Sequence, residues 1–201
     1  MTYDFKIAAA DKATLYRDLA SGLEGLVSGE SDPVANMANA AALIFETLPD
    51  VNWVGFYRNV GGELVVGPFQ GRPACIRIPF GSGVCGAAAA TRQVQRIEDV
   101  HAFPGHIACD SASNSEIVVP LIRDGELLGV LDIDSPKTGR FTDEDEAGCV
   151  TLGEILSAVL LFPGEGRGPV PNKRNGAIAP PGPRPSPGSG RSAQLFQPLV
   201  A

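Results

Sequence analysis

Residues 116–134, EIVVPLIRDGELLGVLDID, read as two apolar strands joined by Asp124 and Gly125. An Asp-Gly pair suits a two-residue hairpin turn, because both central positions need positive φ and the flanking apolar runs supply the ladder. Such a turn pairs Arg123 with Glu126 and, counting back along both strands, Glu116 with Ile133. Side chains alternate across a strand, so Asp132 and Asp134 share one face while Glu116 points to the other. Two departures would change that. An inserted residue near Pro120 would shift the register, or Glu116 would lie beyond the ladder and turn into a pocket.

Outward from the hairpin, the chain alternates helical and strand patterns. Residues 11–27 carry Leu15, Leu19, Leu23 and Leu26 at helical spacing, and residues 33–48 do so after Ser31-Asp32-Pro33, a cap followed by proline in the first turn. NWVGFYRN (52–59) and ELVVGPF (63–69) flank a Gly-Gly turn and predict a first hairpin, and ACIRIPF (74–80) predicts a further strand. GSGVCGAAAATR (81–92) opens on glycines and continues as a short helix. VQRIEDV and a long loop lead to the second hairpin, and a final helix starts behind Thr142, with acidic residues in its first turn where the helix dipole favours them. The expected fold class is α+β: an antiparallel sheet with helices from both ends of the chain on one face, and a pocket under the loops of residues 68–115 on the other.

Composition sets the outer bounds. With 201 residues, 44% hydrophobic, the chain suffices for one domain with its own core. We place that domain at 1–162. Residues 163–201 hold nine of the 17 prolines and no hydrophobic periodicity, which predicts a Pro/Gly-rich disordered tail. The net charge is -7, and without the basic tail the body is more acidic still, which argues against nucleic acid or an anionic membrane as partner. The N-terminus has no signal-peptide pattern and no apolar run is long enough to span a bilayer, so the expected setting is the cytoplasm. Four cysteines in such a chain are poor material for a disulfide scaffold, which leaves reactive thiols or buried bystanders.

Cys109 lies in PGHIACDSASNSEIVVP (104–120), followed by small and polar residues that suggest access rather than packing. Cys85 opens a helix behind Gly81 and Gly83, where dipole and free amides favour a thiolate, so local electrostatics nominates it as well. Cys75 falls at an expected strand position on the face of Arg77, and Cys149, among helical apolar neighbours, reads as core. Asp132 and Asp134, side by side on a strand, raise each other's proton affinity and make a proton donor available near neutral pH. Trp53 and Tyr57, four apart on a strand, share a face and are expected to enclose a small apolar group between flat walls. Backbone N–H groups around Ser111 to Ser115 are the expected anion holders. His101 and His106 sit in the loop of Cys109, but no CxxC or HxxxH pair occurs and no metal or other cofactor is expected.

The order of elements, and especially PLIRDGELLGVLDIDSPKTGRFTDEDE (120–146), resembles the GAF domain family of small-molecule sensor modules. Within it, NWVGFY, GPFQGRPACIRIPFGSGVCGAAAATRQ, DVHAFPGHIACDSASNSEIVVPL and GVLDIDSP look like the free methionine-R-sulfoxide reductases, with three cysteines 10 and 24 residues apart inside the matching segments. The resemblance covers about residues 1–160. It implies thiol-dependent reduction of free L-methionine (R)-S-oxide, with Cys109 as nucleophile, Cys75 as resolving thiol and Cys85 as an accessory that relays or replaces it. It further implies Asp134 in catalysis or proton delivery, Asp132 on the substrate ammonium, Glu116 as a third acid, and Trp53 and Tyr57 against the methyl group. Thioredoxin or a similar dithiol is the implied reductant, and a homodimer the implied assembly. The competing reading is a non-catalytic GAF sensor of redox state or of a small regulator.

Overall fold

The computed structural model describes residues 11–105 and 112–160, all within one unit spanning Met1–Gly168. The expected tail, 163–201, lies outside the described residues, as do Cys109 and His106. Helix α1 (Lys12–Val27) starts at Asp11, whose carboxylate accepts the Thr14 N–H at 2.7 Å. Helix α2 (Pro33–Thr47) starts at Asp32, which accepts from the N–H groups of Val34 and Ala35. Both caps satisfy amides that a helix leaves without partners, and Pro33 loses nothing in the first turn.

Six antiparallel strands follow: β1 (Trp53–Val60), β2 (Glu63–Gln70), β3 (Arg77–Pro79), β4 (Gln95–Ile97), β5 (Ser115–Arg123) and β6 (Glu126–Ser135), ordered β3-β2-β1-β6-β5-β4 across the sheet. Helix α3 (Gly83–Thr91) lies between β3 and β4, and α4 (Asp143–Val159) closes the described chain. The expected strand over 74–80 shrinks to three residues, because β2 offers partners only to Arg77, Ile78 and Pro79. Cys75 therefore belongs to the segment before β3 and not to a strand.

The sheet separates two apolar layers. On one side α1, α2 and α4 pack Leu19, Leu23, Ile44, Leu152 and Leu156 against Val54, Phe56, Ile117, Leu131 and Ile133. On the other, α3 brings Val84, Ala88 and Ala89 against Trp53, Tyr57, Val118 and Val130. This is the expected α+β layering, with helices from both chain ends on one face. Cys149 is sealed in the first layer, where burial pushes its thiol up to about 12. No helix among the described residues is long and apolar enough to cross a membrane.

The second hairpin turns where expected, with Asp124 at φ 51° and Gly125 at φ 80°. Arg123 pairs with Glu126 and Ile122 with Leu127, but the next pair is Leu121 with Gly129. Leu128 is the inserted residue, a bulge one residue past the Pro120 level. From there the register runs on to Glu116 opposite Asp134. Glu116 thus joins Asp132 and Asp134 on one face. Beside the bulge, β6 presses closely on β1: a Cβ built on Gly129 would stand 2.2 Å from the Tyr57 carbonyl oxygen. Only glycine fits that approach.

One carboxylate ties the helical layer together. Asp145, in the first turn of α4, accepts from the Thr142 N–H at 2.8 Å, the Tyr16 hydroxyl at 3.0 Å and Arg140 Nη1 at 2.9 Å, and pairs with Lys12. Burial works to raise its proton affinity, but the bonds from Lys12, Thr142 and Arg140 hold it well below the usual carboxylate range. A depressed folded value means that its stabilisation is present above the unfolded value of about 3.9 and is lost as pH falls. Asp145→Asn should therefore cost about 3–5 kcal/mol at neutral pH, because it leaves Arg140 half-paired in a buried place. Thermal melts from pH 7 down to 2 should show the wild-type advantage shrinking below about pH 5. Gly129→Ala should destabilise by about 1–3 kcal/mol in urea unfolding through overpacking against Tyr57.

Candidate active site

The site is built on the sheet face opposite α1, α2 and α4, from three neighbouring strands. Trp53 on β1 pairs with Asp134 on β6, which pairs with Glu116 on β5, while Asp132 lies two residues back on the same face. Helix α3 roofs these groups with Gly83, Val84 and Cys85, and Pro73 and Ala74 form part of the rim. Together they line one pocket. Trp53, Tyr57, Cys85, Glu116, Asp132 and Asp134, six of the expected site residues, all line it. Cys75 is half-buried, one residue beyond the rim residue Ala74, and is disulfide-bonded. Cys85 and Cys149 are free thiols. Cys109 lies outside the described residues.

The aromatic pair departs from expectation. Trp53 and Tyr57 do share a face, but their rings stack on each other with centroids 5.9 Å apart and planes at 24°, and Phe69 continues the row 5.2 Å from Trp53. They form one wall of the pocket, not two facing walls, since a gap between them would expose both faces of adjacent rings. The wall is fixed by backbone. Trp53 Nε1 donates to the Arg72 carbonyl at 3.0 Å, and a Cβ on Gly55 or Gly71 would come within 2.7 Å of the Trp53 ring. Gly55, Phe69 and Gly71 escaped the sequence reading. Phe69 and Gly71 meet the Trp53 ring only once the chain has folded.

Glu116 and Asp132 are each 6% exposed. Burial, then the charges of Asp132 and Asp134, pushes the Glu116 carboxyl well above its ordinary value, which favours its protonated form. Burial raises Asp132 to about 6, with bonds from Cys85 and Glu116 opposing. Asp132 Oδ1 has no hydrogen-bond partner among the described residues. No Lys, Arg or His is among the described residues lining the pocket, so the cavity favours a cation, and a donor reaching Asp132 would satisfy a buried acceptor.

Cys85 corrects the expectation drawn from its helix terminus. Its thiol is buried, 3.8 Å from Glu116 Oε1, and burial together with Asp132 and Glu116 pushes it well above the ordinary thiol value. Two acids across the pocket outweigh the partial charge of one helix end, so no thiolate is favoured here. The sulfur and one oxygen each of Glu116 and Asp132 lie within 4.8 Å of one another. Sequence spacing hid that set, because its members come from α3, β5 and β6.

The anion-holding loop is narrower than expected. The Asn114 N–H already donates to the Ser135 carbonyl at 2.8 Å and Ser115 pairs with Ser135 in the ladder, while Ser111 lies outside the described residues. Ser113 lines the pocket, its hydroxyl accepting from Asn52 Nδ2 at 3.0 Å. His101 is exposed within a short 3-10 helix (Val100–Ala102), its Nε2 lies 3.0 Å from Asn114 Oδ1, and it is not among the residues lining the pocket.

Comparison with known proteins places this arrangement. Residues 5–160 match the model of the GAF domain. The free methionine-R-sulfoxide reductase of Escherichia coli is 56% identical over 150 residues, covering 75% of this chain and 91% of that protein. A free methionine-R-sulfoxide reductase from Neisseria meningitidis, solved in complex with its substrate, superposes with a TM-score of 0.75 at 46% identity, over 78% of this chain and 95% of that one. A putative GAF sensor protein from Burkholderia vietnamiensis is 57% identical, with a TM-score of 0.73 over 75% and 96% of the two chains. The chain belongs to the GAF domain family and stands within it beside the free methionine-R-sulfoxide reductases.

Proposed function

We propose that the protein reduces free L-methionine (R)-S-oxide to L-methionine, using Cys109 as nucleophile and Cys75 as resolving thiol. The observation that carries this reading is the gathering of Glu116, Asp132 and Asp134 under the Trp53 wall, in a pocket whose rim leads directly into a disulfide-bonded Cys75. The relatives named as reductases supply the substrate and its epimer.

In the proposed chemistry the Cys109 sulfur attacks the sulfoxide sulfur while a proton is delivered to the oxygen. The hydroxyl so formed passes to the Cys109 sulfur as the substrate S–O bond and the new S–S bond break, so methionine leaves with two added electrons and Cys109 is left as a sulfenic acid. The Cys75 thiol then attacks that sulfur, water departs, and a disulfide forms. Thioredoxin or a similar dithiol restores both thiols by exchange. That Cys75 is disulfide-bonded while Cys85 and Cys149 are free supports this pairing over one through Cys85.

The acids divide the remaining work. Glu116, its proton affinity raised by burial, and the neighbouring Asp134 serve as the proton source, and Asp132, with its open acceptor, takes the substrate ammonium. An acid-lined pocket that requires an ammonium excludes methionine sulfoxide within a peptide, which has none. The aromatic row offers the methyl group an apolar surface.

Incubation with racemic methionine sulfoxide and dithiothreitol, followed by chiral chromatography, should show the R epimer consumed and methionine formed. If neither epimer is consumed, the protein is a binding module and the reading fails. Cys109→Ser should abolish turnover, whereas Cys75→Ser should slow cycling less severely. Mass spectrometry after one turnover should find Cys75 linked to Cys109, and a Cys85–Cys109 linkage would reverse the assignment of resolving thiol. Asp132→Asn should raise KM by roughly 10- to 150-fold, the loss of one charge-assisted hydrogen bond, about 1.5–3 kcal/mol.

A further inference from the structure

Cys85 takes no necessary part in the chemistry above, yet it is buried, free and turned toward two carboxyls. We propose that Cys85, Glu116 and Asp132 form a binding site for a thiophilic divalent cation of the zinc class.

The donor set and its geometry carry this. One sulfur and two oxygens lie within 4.8 Å of one another, and the Cys85 Sγ to Glu116 Oε1 distance is 3.8 Å. Sulfur and oxygen ligands on a tetrahedral zinc stand about 3.5 Å apart, given bond lengths near 2.3 and 2.0 Å. The Cys85–Glu116 pair lies close to that spacing, and the Asp132 carboxylate, within 4.8 Å of both, swings inward to complete the set on binding. Asp132 supplies a second sign: its Oδ1 is buried without a hydrogen bond among the described residues, so a metal ion there competes with the proposed substrate ammonium for it. A protein ligand set of one thiolate and two carboxylates leaves the fourth position toward the pocket, the pattern of an open zinc site. Calcium and magnesium, which require six or more oxygen donors, do not match it. On binding, the Cys85 thiol and any carboxyl that holds a proton release it to solvent, the sulfur–metal and oxygen–metal bonds form, and no electrons change hands.

The three ligands ride on separate rigid elements. Glu116 and Asp132 are held by the β5–β6 ladder and Cys85 by α3, so their spacing is set by the sheet and its roof. The site also stands apart from the Cys75 redox pair, since it is present while Cys75 is disulfide-bonded.

The oxidised full-length protein is therefore the material for the test, because Cys75 is then blocked and Cys149 is sealed on the opposite face of the sheet. Anaerobic titration with Co2+, followed by absorption spectroscopy, should give one bound ion per chain with a near-ultraviolet thiolate-to-cobalt charge-transfer band. Cys85→Ser should lose the band and Cys149→Ser should keep it. Asp132→Asn, which retains the thiol and the side-chain volume, should weaken binding by at least about tenfold. Absence of the band in the wild-type protein, its survival in Cys85→Ser, or unchanged affinity in Asp132→Asn would each overturn the proposal. No substrate enters these titrations, so their outcome is independent of whether the protein reduces methionine sulfoxide.

Discussion

One unpaired residue in a hairpin decides where three carboxyls go. With Leu128 inserted in β6, every pair beyond it shifts by one, and Glu116 moves from the helical core side to the pocket side. A strand has a period of two, so a single insertion reverses the facing of everything past it. Without the bulge, Glu116 would push a carboxyl into the layer of Leu131 and Ile133, which is too costly to persist unpaired. The bulge therefore serves stability and chemistry together. It keeps the helix-facing layer apolar and concentrates acids on the other face.

That concentration explains the proton inventory of the site. Adjacent buried carboxyls resist ionising together, so burial and mutual repulsion raise the proton affinity of Glu116 well above its ordinary value. The same crowding holds Cys85 as a thiol. Among the described residues the cavity is thus lined by acids of raised proton affinity and by no Lys, Arg or His. It presents a proton to an oxygen and an acceptor to an ammonium, the two features that a zwitterionic sulfoxide brings with it.

Much of this was legible in the residues, and the exceptions have physical causes. The caps at Asp11 and Asp32, the Asp124-Gly125 turn and the acidic start of α4 are local signals, and each element formed where those signals stand. The shared face of Trp53 and Tyr57 followed from strand period alone, but the stacking of their rings depended on Gly55 and Gly71, whose partner is reached only after folding. Leu128 is neither glycine nor polar, and its only trace is an apolar Leu127-Leu128 pair where alternation should place one. Cys85 was misread because the acids opposite it come from β5 and β6, distant in sequence and invisible to a helix-terminus argument. The segment of Cys75 borrowed apolar character from β3 without its ladder partners.

The central claim is that the acid face bound to the bulged register holds free methionine sulfoxide by its ammonium. A crystal structure with L-methionine (R)-S-oxide bound tests it most directly. The expected result is the ammonium within hydrogen-bond distance of Asp132 and the methyl group against the Trp53 ring. A sulfoxide found elsewhere, or bound with its ammonium in solvent and Asp132 Oδ1 still without a partner, would contradict the claim.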